Sequence, residues 1–158
     1  MIEVVRSVRT TCPLDVVADY LSDFTSTAQW DPHTAACSRI GDEVGIRVGV
    51  SFANTQRIGL LRTTMRYTVS AFEAGSFISL HSHSRVLDAE DSMAFTRDGD
   101  RTVVTYTARF DLHGPAALAE PVLKLMLDKV GDDGAAGMQR TLDGLDSRDR
   151  WKALRRPN

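Results

Sequence analysis

The residues best suited to chemistry are polar side chains that fall among apolar ones in alternating segments. Asp91 is in register with four apolar residues, Leu87, Ala89, Met93 and Phe95. A strand here would place the Asp91 carboxyl group on the apolar face. Burial would raise its pKa by desolvation and make it a possible general base. A bulge near residues 89–91 would turn the side chain outward instead, and both orientations stay open.

Three hydroxyl-bearing residues, Thr63, Tyr67 and Tyr106, share the apolar faces of two other segments. Each hydroxyl can donate and accept a hydrogen bond and so orient a bound molecule, although tyrosine on a sheet face is more often a core residue. A guanidinium such as that of Arg66 could hold a carboxylate or stabilise an enolate oxygen beside a cavity. Since Met65 and Tyr67 take the apolar face, we expect Arg66 on the solvated face.

A metal site has weaker support. His81 and His83 lie two residues apart, and Asp88 and Glu90 follow within reach of a hairpin. A zinc site usually needs three or four converging ligands, so an isolated His-x-His pair is weak evidence. The glycine spacing does not match a phosphate-binding loop, and no Ser-His-Asp arrangement is recognisable. We therefore predict neither a metal nor a cofactor.

Composition limits the class of protein. A chain of 158 residues suits one domain, and a net charge of -2 argues against a nucleic-acid partner. The first residues lack the pattern of a signal peptide, and no apolar run approaches about 20 residues, so we expect a cytoplasmic protein without stable membrane insertion. Cys12 and Cys37 have no paired-cysteine spacing, and reduced thiols are expected.

The elements that must position these residues are mostly strands. Alternation predicts strands at residues 2–10, 33–40, 47–55, 60–72, 77–83, 86–97 and 101–112. Short connections, among them Asp98-Gly99-Asp100, predict an antiparallel meander. After the first strand, Pro13 opens a helix that should end near Ser22, and residues 24–29 predict a second short helix. One face of residues 60–72 should carry Leu61, Thr63, Met65, Tyr67, Val69 and Ala71.

A long helical pattern follows, from Gly114 to about Leu145. Its apolar stripe is Leu118, Val122, Leu125, Met126, Val130, Met138, Leu142 and Leu145. Gly131, Gly134 and Gly137 remove side-chain volume, and glycine costs up to about 1 kcal/mol in a helix relative to alanine. Three explanations stay open: close packing on the sheet, a break near Gly131, or space for a ligand.

Element order and local motifs together resemble a known superfamily. The motifs are PLDVVADYLSDF at residues 13–24, Gln29-Trp30-Asp31-Pro32, and GDRTVV at residues 99–104. From Ile2 to about Leu145 the chain resembles the START-like, helix-grip superfamily SRPBCC, and within it the polyketide cyclase/dehydrase branch. The resemblance implies an α+β fold, in which a curved antiparallel sheet of six or seven strands wraps around the long C-terminal helix. It also implies an apolar cavity between them.

The function expected from this resemblance is binding of a small hydrophobic molecule, lipid-like or polyketide-like. The alternatives are a cyclase or dehydratase that uses Tyr67, Tyr106, Asp91 or Arg66, and a module that binds a protein partner. Trp30 could line the pocket mouth or anchor packing. The expected ligand contacts are Trp30, Thr63, Met65, Tyr67, Met93, Phe95, Tyr106, Ala108, Phe110, Met126, Val130, Gly134 and Met138. We predict one domain at residues 1–148 and a basic tail at 149–158; nothing in the sequence indicates an oligomeric state.

Overall fold

The computed structural model describes residues 1–145, and the predicted basic tail at 149–158 lies outside them. The strands are β1 Ile2–Thr10, β2 Thr34–Ile40, β3 Ser51–Ile58, β4 Leu61–Glu73, β5 Phe77–His83, β6 Leu87–Asp98 and β7 Arg101–Leu112. The helices are α1 Leu14–Ser22, α2 Thr27–Trp30 and α3 Glu120–Gly144, with 3-10 turns at Phe24–Ser26 and Gly114–Ala119. The predicted order of strands and helices is confirmed.

The seven strands form one curved antiparallel sheet with the order β1-β7-β6-β5-β4-β3-β2. The chain therefore meanders from β2 to β7, and β1 adds to the free edge of β7. A tight turn joins β6 to β7, because Asp98 pairs with Arg101 and leaves only Gly99 and Asp100 between them. Gly99 has a φ of 61°, which suits glycine at the first position of a two-residue hairpin turn. The predicted α+β class is confirmed.

The pairing of β4 differs from simple alternation. Its register with β5 shifts between Val69 and Ala71, and after the shift Phe72, rather than Ala71, pairs with the buried Ile78. Phe72 therefore packs against the core, and the prediction that Ala71 continues the inner face was wrong. The first half of β4 pairs only with β3 and projects past β5 as a long hairpin.

The core has two parts. The main cluster joins α1, α2 and the inner face of the sheet to the C-terminal half of α3, through residues such as Leu21, Phe52 and Leu142. A smaller cluster of Ile2, Val4 and Leu127 lies under the N-terminal half of α3. The two halves of α3 are thus held by very different amounts of buried apolar surface.

The helix α3 is continuous from Glu120 to Gly144, so it does not break at Gly131. The predicted apolar stripe was wrong in its N-terminal part, where Leu118 in the preceding 3-10 turn and Val122, Leu125 and Met126 in α3 are exposed. The buried face there is marked by Leu127 instead. Because successive helical residues are turned by about 100°, Leu125 lies on nearly the opposite side of the helix from Leu127. The sequence carries two apolar stripes in this half, and only one of them meets the sheet. Within the described part of the chain, no helix has the length and apolar character needed to cross a membrane.

Candidate functional site

A cavity lies between α3 and the inner face of the sheet, where the two core clusters meet. It is lined by Val4, Trp30, Asp31, Gln56, Tyr67, Asp91, Tyr106, Ala108, Phe110, Leu127, Val130, Gly131 and Gly134. Its volume is about 40 Å³. Because about 10–15 Å³ holds one water molecule, this is room for a few waters. The cavity in this conformation is much smaller than a typical ligand pocket of about 300–1,000 Å³.

The helix wall of the cavity depends on glycine. A Cβ atom on Gly131 would lie 2.6 Å from Val4 Cγ1, and one on Gly137 would lie 2.0 Å from the Trp30 carbonyl oxygen. At Gly134 the nearest atom would be Trp30 Cζ3, at an ordinary contact distance of 3.7 Å. Close packing therefore accounts for Gly131 and Gly137, whereas at Gly134, on the cavity wall, a Cβ atom would fit without a clash.

A tight turn after α2 fixes the Trp30 end of the cavity. The carboxylate of Asp31 accepts hydrogen bonds from the His33 backbone N–H at 2.9 Å and from the Thr34 hydroxyl at 2.7 Å. The Trp30 indole N–H donates to Ser26 Oγ at 3.3 Å, and its ring meets Tyr106 edge-on with a centroid separation of 6.1 Å. Trp30 is thus both a packing anchor and a wall of the cavity.

The sheet wall carries the polar groups. Asp91 on β6 pairs with Ala108 on β7, and Tyr106 pairs with Met93, in a register without interruption along β6. The bulge considered near residues 89–91 is not present, and Asp91 faces inward with only 4% exposure. Tyr67 reaches the same cavity from β4. One carboxyl group and two phenol groups therefore converge on one small space.

Burial dominates the electrostatics of Asp91. Desolvation raises its pKa from 3.8 to about 7, and the nearby Tyr106 hydroxyl opposes this change. The Oδ1 atom is buried and has no hydrogen-bond partner among the described residues. A buried acceptor without a partner costs free energy, so this oxygen is available to a group that enters the cavity.

The two tyrosines stay protonated under ordinary conditions. Desolvation and then the nearby Asp91 carboxyl group raise the pKa of Tyr106 well above its usual value. The same causes, in the same order, raise the pKa of Tyr67. Both phenols can therefore act as hydrogen-bond donors beside a carboxyl group whose pKa burial raises to about 7.

Comparison of the sequence with known families gives a match along almost the whole chain. Residues 1–147 match the family described as polyketide cyclase/dehydrase and lipid transport. The chain belongs to this family. None of the curated proteins compared with it matches its sequence.

Solved structures place this polyketide cyclase/dehydrase family member among START-like folds. A protein from Thermus thermophilus is similar with a TM-score of 0.76 and 12% identity, covering 92% of this chain and 99% of that one. A START superfamily protein from Mycobacterium smegmatis has a TM-score of 0.75 and 15% identity, covering 90% and 98%. The Zhui aromatase/cyclase from a Streptomyces species has a TM-score of 0.70 and 14% identity, covering 98% and 95%. At these identities the likeness concerns the fold, and the predicted SRPBCC relationship is confirmed.

The structure of this family member distributes the predicted site residues over several places. The cavity is lined by Trp30, Tyr67, Tyr106, Ala108, Phe110, Val130 and Gly134, and by Asp91. Met93, Phe95 and Met138 are buried in the main core, and Met65 packs against its edge. Thr63 and Met126 are exposed and do not line the cavity. Arg66 is exposed, and its guanidinium donates to Ser51 Oγ at 3.4 Å, on the opposite face of the sheet from Tyr67.

Other wall residues were not anticipated. Gln56 lies beyond the predicted end of its strand at residue 55, and continuing the alternation from Phe52 and Asn54 would have found it. Leu127 belongs to the second apolar stripe of α3. No local sequence pattern indicates that Val4 or Asp31 lines a cavity. Both become part of the wall because α3, which is distant in sequence, packs against them.

The two histidines considered for a metal site lie on the outer face of β5, away from the cavity. Both His81 and His83 are exposed. His83 hydrogen-bonds to Asp88 through Nδ1, and a third residue, His113, approaches the same carboxylate.

Proposed function

We propose that this protein binds a small hydrophobic molecule between α3 and the sheet, and that Asp91, Tyr67 and Tyr106 hold a carbonyl or hydroxyl group of that molecule. The observation that carries the proposal is the buried Asp91 Oδ1 without a partner on the cavity wall. The family description, which includes lipid transport, supports the class of ligand. The surrounding wall of Trp30, Phe110 and Leu127 is apolar and suits a hydrophobic body.

A ligand of this kind needs more space than about 40 Å³, so we infer that the N-terminal half of α3 moves when the ligand enters. This half is held by the small apolar cluster around Leu127 and by ion pairs from Arg6 to Asp128 at 3.5 Å and to Asp132 at 2.7 Å. The side chains of Arg6, Asp128 and Asp132 are 26%, 42% and 68% exposed, and ion pairs at the protein surface typically contribute less than about 1 kcal/mol. Opening here would therefore cost little compared with displacement of the C-terminal half.

The surface near this end of the fold also suits a hydrophobic ligand. The tip of the β3–β4 hairpin lies at the end of the sheet where β7 stops and the chain leads into α3, because neighbouring strands are antiparallel. Leu60 and Leu61 at that tip are exposed, as are Val122 and Leu125 on α3. Apolar groups on both sides would favour approach of an apolar molecule to the cavity.

Native mass spectrometry after incubation with a defined panel tests the proposal. The panel contains long-chain fatty acids, a sterol and a hydroxylated anthraquinone. We expect wild-type protein to retain one of these three classes of ligand. Gly134→Leu should not retain that ligand, because the new side chain fills the cavity. Ala136→Leu, at an exposed position of the same helix, is the matched control and should retain the ligand. Circular dichroism checks that each variant is folded.

Two results would reject the binding proposal. One is that wild-type protein retains no member of the panel. The other is that Gly134→Leu retains the same molecule with unchanged occupancy while remaining folded, since the ligand would then lie elsewhere on the protein.

The second candidate function is catalysis of a cyclase or dehydratase type, and the pKa of about 7 at Asp91 favours it. An ionised Asp91 would take a proton from a carbon between two carbonyl groups. A tyrosine hydroxyl would donate a hydrogen bond to the carbonyl oxygen that becomes the enolate. Incubation with a diketone in deuterated water tests this step. Wild-type protein should speed exchange at that carbon, and Asp91→Asn should lose the effect while still retaining the ligand.

If exchange is no faster than in buffer, or if Asp91→Asn exchanges as fast as wild type, the catalytic candidate fails and the binding proposal is unaffected.

A further inference from the structure

Three ligand-type side chains, which come from the ends of three neighbouring strands, meet at one corner of the outer face. His83 ends β5, Asp88 is the second residue of β6, and His113 follows β7 directly. The backbone holds all three in place. His83 pairs with Asp88 in the β5–β6 ladder, and the His113 backbone N–H donates to the Val86 carbonyl oxygen at 2.9 Å. The positions of these residues are therefore set by the sheet and by one short turn.

The side-chain atoms are close. The Asp88 carboxylate uses one oxygen for each imidazole: Oδ1 hydrogen-bonds to His83 Nδ1, and Oδ2 lies 3.0 Å from His113 Nε2. The two imidazole rings have a centroid separation of 6.4 Å. The possible ligand atoms of the three residues all lie within 4.8 Å of one another. In a tetrahedral zinc site, with bonds of about 2.0–2.1 Å, neighbouring ligand atoms are about 3.3 Å apart. Small side-chain rotations would therefore convert the present arrangement of the three side chains into that of a zinc site.

We propose that His83, Asp88 and His113 form a binding site for a divalent transition-metal ion. Two imidazole nitrogens and one carboxylate are a donor set that suits zinc and other first-row ions and leaves coordination positions open. All three groups are at least partly exposed, with side-chain exposures of 75%, 45% and 37% for His83, Asp88 and His113. An ion can therefore reach the site without unfolding, and it would replace the contacts that now join the Asp88 carboxylate to the two imidazoles.

The surroundings support an open site of this kind. A surface groove of about 370 Å³ adjoins the cluster and is lined by His83, Asp88, Glu90, Arg109 and Asp111 among others. Open positions on the ion would be accessible from this groove. A bound ion would also link the β5–β6 turn to the segment that leads from β7 into α3. The site lies on the opposite face of the sheet from the cavity, and its existence does not depend on the proposed function.

Calorimetric titration of tag-free, chelator-treated full chain with zinc chloride tests the site. We expect one zinc ion per chain. His83→Ala and His113→Ala should each weaken zinc binding at least about tenfold. Loss of a residue that only hydrogen-bonds to a metal ligand already weakens metal binding by about that factor, and loss of the ligand itself should cost at least as much. His81→Ala is the matched control: the residue is exposed on the same face of the same strand, and binding should be unchanged.

Histidine side-chain nitrogen NMR gives a second readout. The chain has 4 histidines, and zinc should shift the ring nitrogen signals of His83 and His113 but not those of His33 and His81. Absence of zinc binding by folded wild-type protein would overturn the proposal. So would equal weakening by His81→Ala and His113→Ala, which would mean unspecific binding to surface histidines.

Discussion

The two halves of α3 differ in how much apolar surface they bury against the rest of the protein. In the C-terminal half, Leu142 is fully buried and Gly137 lies against the Trp30 carbonyl oxygen. In the N-terminal half, Leu125 is 74% exposed and only Leu127 is buried. The cavity lies beside the junction, at Gly131 and Gly134. One continuous helix thus combines a fixed end with an end that little apolar burial holds in place.

This difference indicates how the fold can open a cavity without losing its core. Regions with few buried apolar contacts open at lower free energy than the rest of a domain. The main cluster stays intact while the N-terminal half of α3 moves, because that cluster includes only the later residues of the helix, such as Met138 and Leu142.

Truncation of one leucine in each half should give the largest contrast. Leu142→Ala should lower the free energy of unfolding by about 2–5 kcal/mol, since it leaves a cavity in the main core. Leu125→Ala should change it by less than about 0.5 kcal/mol, as for most surface substitutions. Urea unfolding followed by circular dichroism measures both. If both variants lost the same free energy of unfolding, Leu125 would have to be covered in solution, and the two halves of α3 would not differ as described.

Two alanine substitutions on the same helix sharpen the comparison further. Gly137→Ala should destabilise the protein by about 3 kcal/mol, because the new Cβ would lie 2.0 Å from a backbone carbonyl oxygen. Gly134→Ala meets only an ordinary contact at 3.7 Å and should stabilise by up to about 1 kcal/mol through helix propensity. Thermal unfolding of the two variants is the measurement. If Gly137→Ala is as stable as wild type, α3 does not approach α2 as described.

A third effect concerns Asp91 at the junction and depends on pH. Its pKa rises from 3.8 to about 7 on folding, so between these values the folded protein keeps a proton that the unfolded chain loses. The contribution of this group to the free energy of unfolding therefore falls as pH rises, by about 2 kcal/mol between pH 5 and pH 7, and levels off above about pH 8. Asp91→Asn should remove this decline.

Urea unfolding at a series of pH values measures the decline, and Asp111→Asn, on the exposed outer face, serves as the control. A wild-type profile identical to that of Asp91→Asn would mean that Asp91 is not buried as a carboxyl group in solution.

The strands could be predicted well from the sequence because alternation is a local signal. The bounds of β5 and β7 agree with the predicted residues 77–83 and 101–112, and the inward direction of Asp91 follows once β6 is regular. The shift after Val69 could not be predicted, since no residue type there marks it, and Phe72 in place of Ala71 became the core residue.

The candidate site was only partly predictable, because it depends on how distant elements meet. Leu125 and Leu127 are equally apolar, and only the placement of α3 over β1 decides which of them faces the sheet. Gly137 and Gly134 look alike in the sequence, yet a Cβ atom would clash with a backbone carbonyl at Gly137 and would make only ordinary contacts at Gly134. His113 lies far along the chain from His83, so the sequence suggested the nearby His81 as the second histidine of a metal site with His83. The pairing of β6 with β7 instead places His113 beside Asp88 and His83.

The pairing of β1 with β7 also affects how the protein is made. During synthesis Ile2, Val4 and Val8 leave the ribosome well before β7, the strand that pairs with them. Contacts between residues so distant along the chain form slowly and only after the intervening segment is in place. We therefore expect β1 to stay without its partner until β7 has been synthesised, and its apolar residues to remain uncovered during that interval.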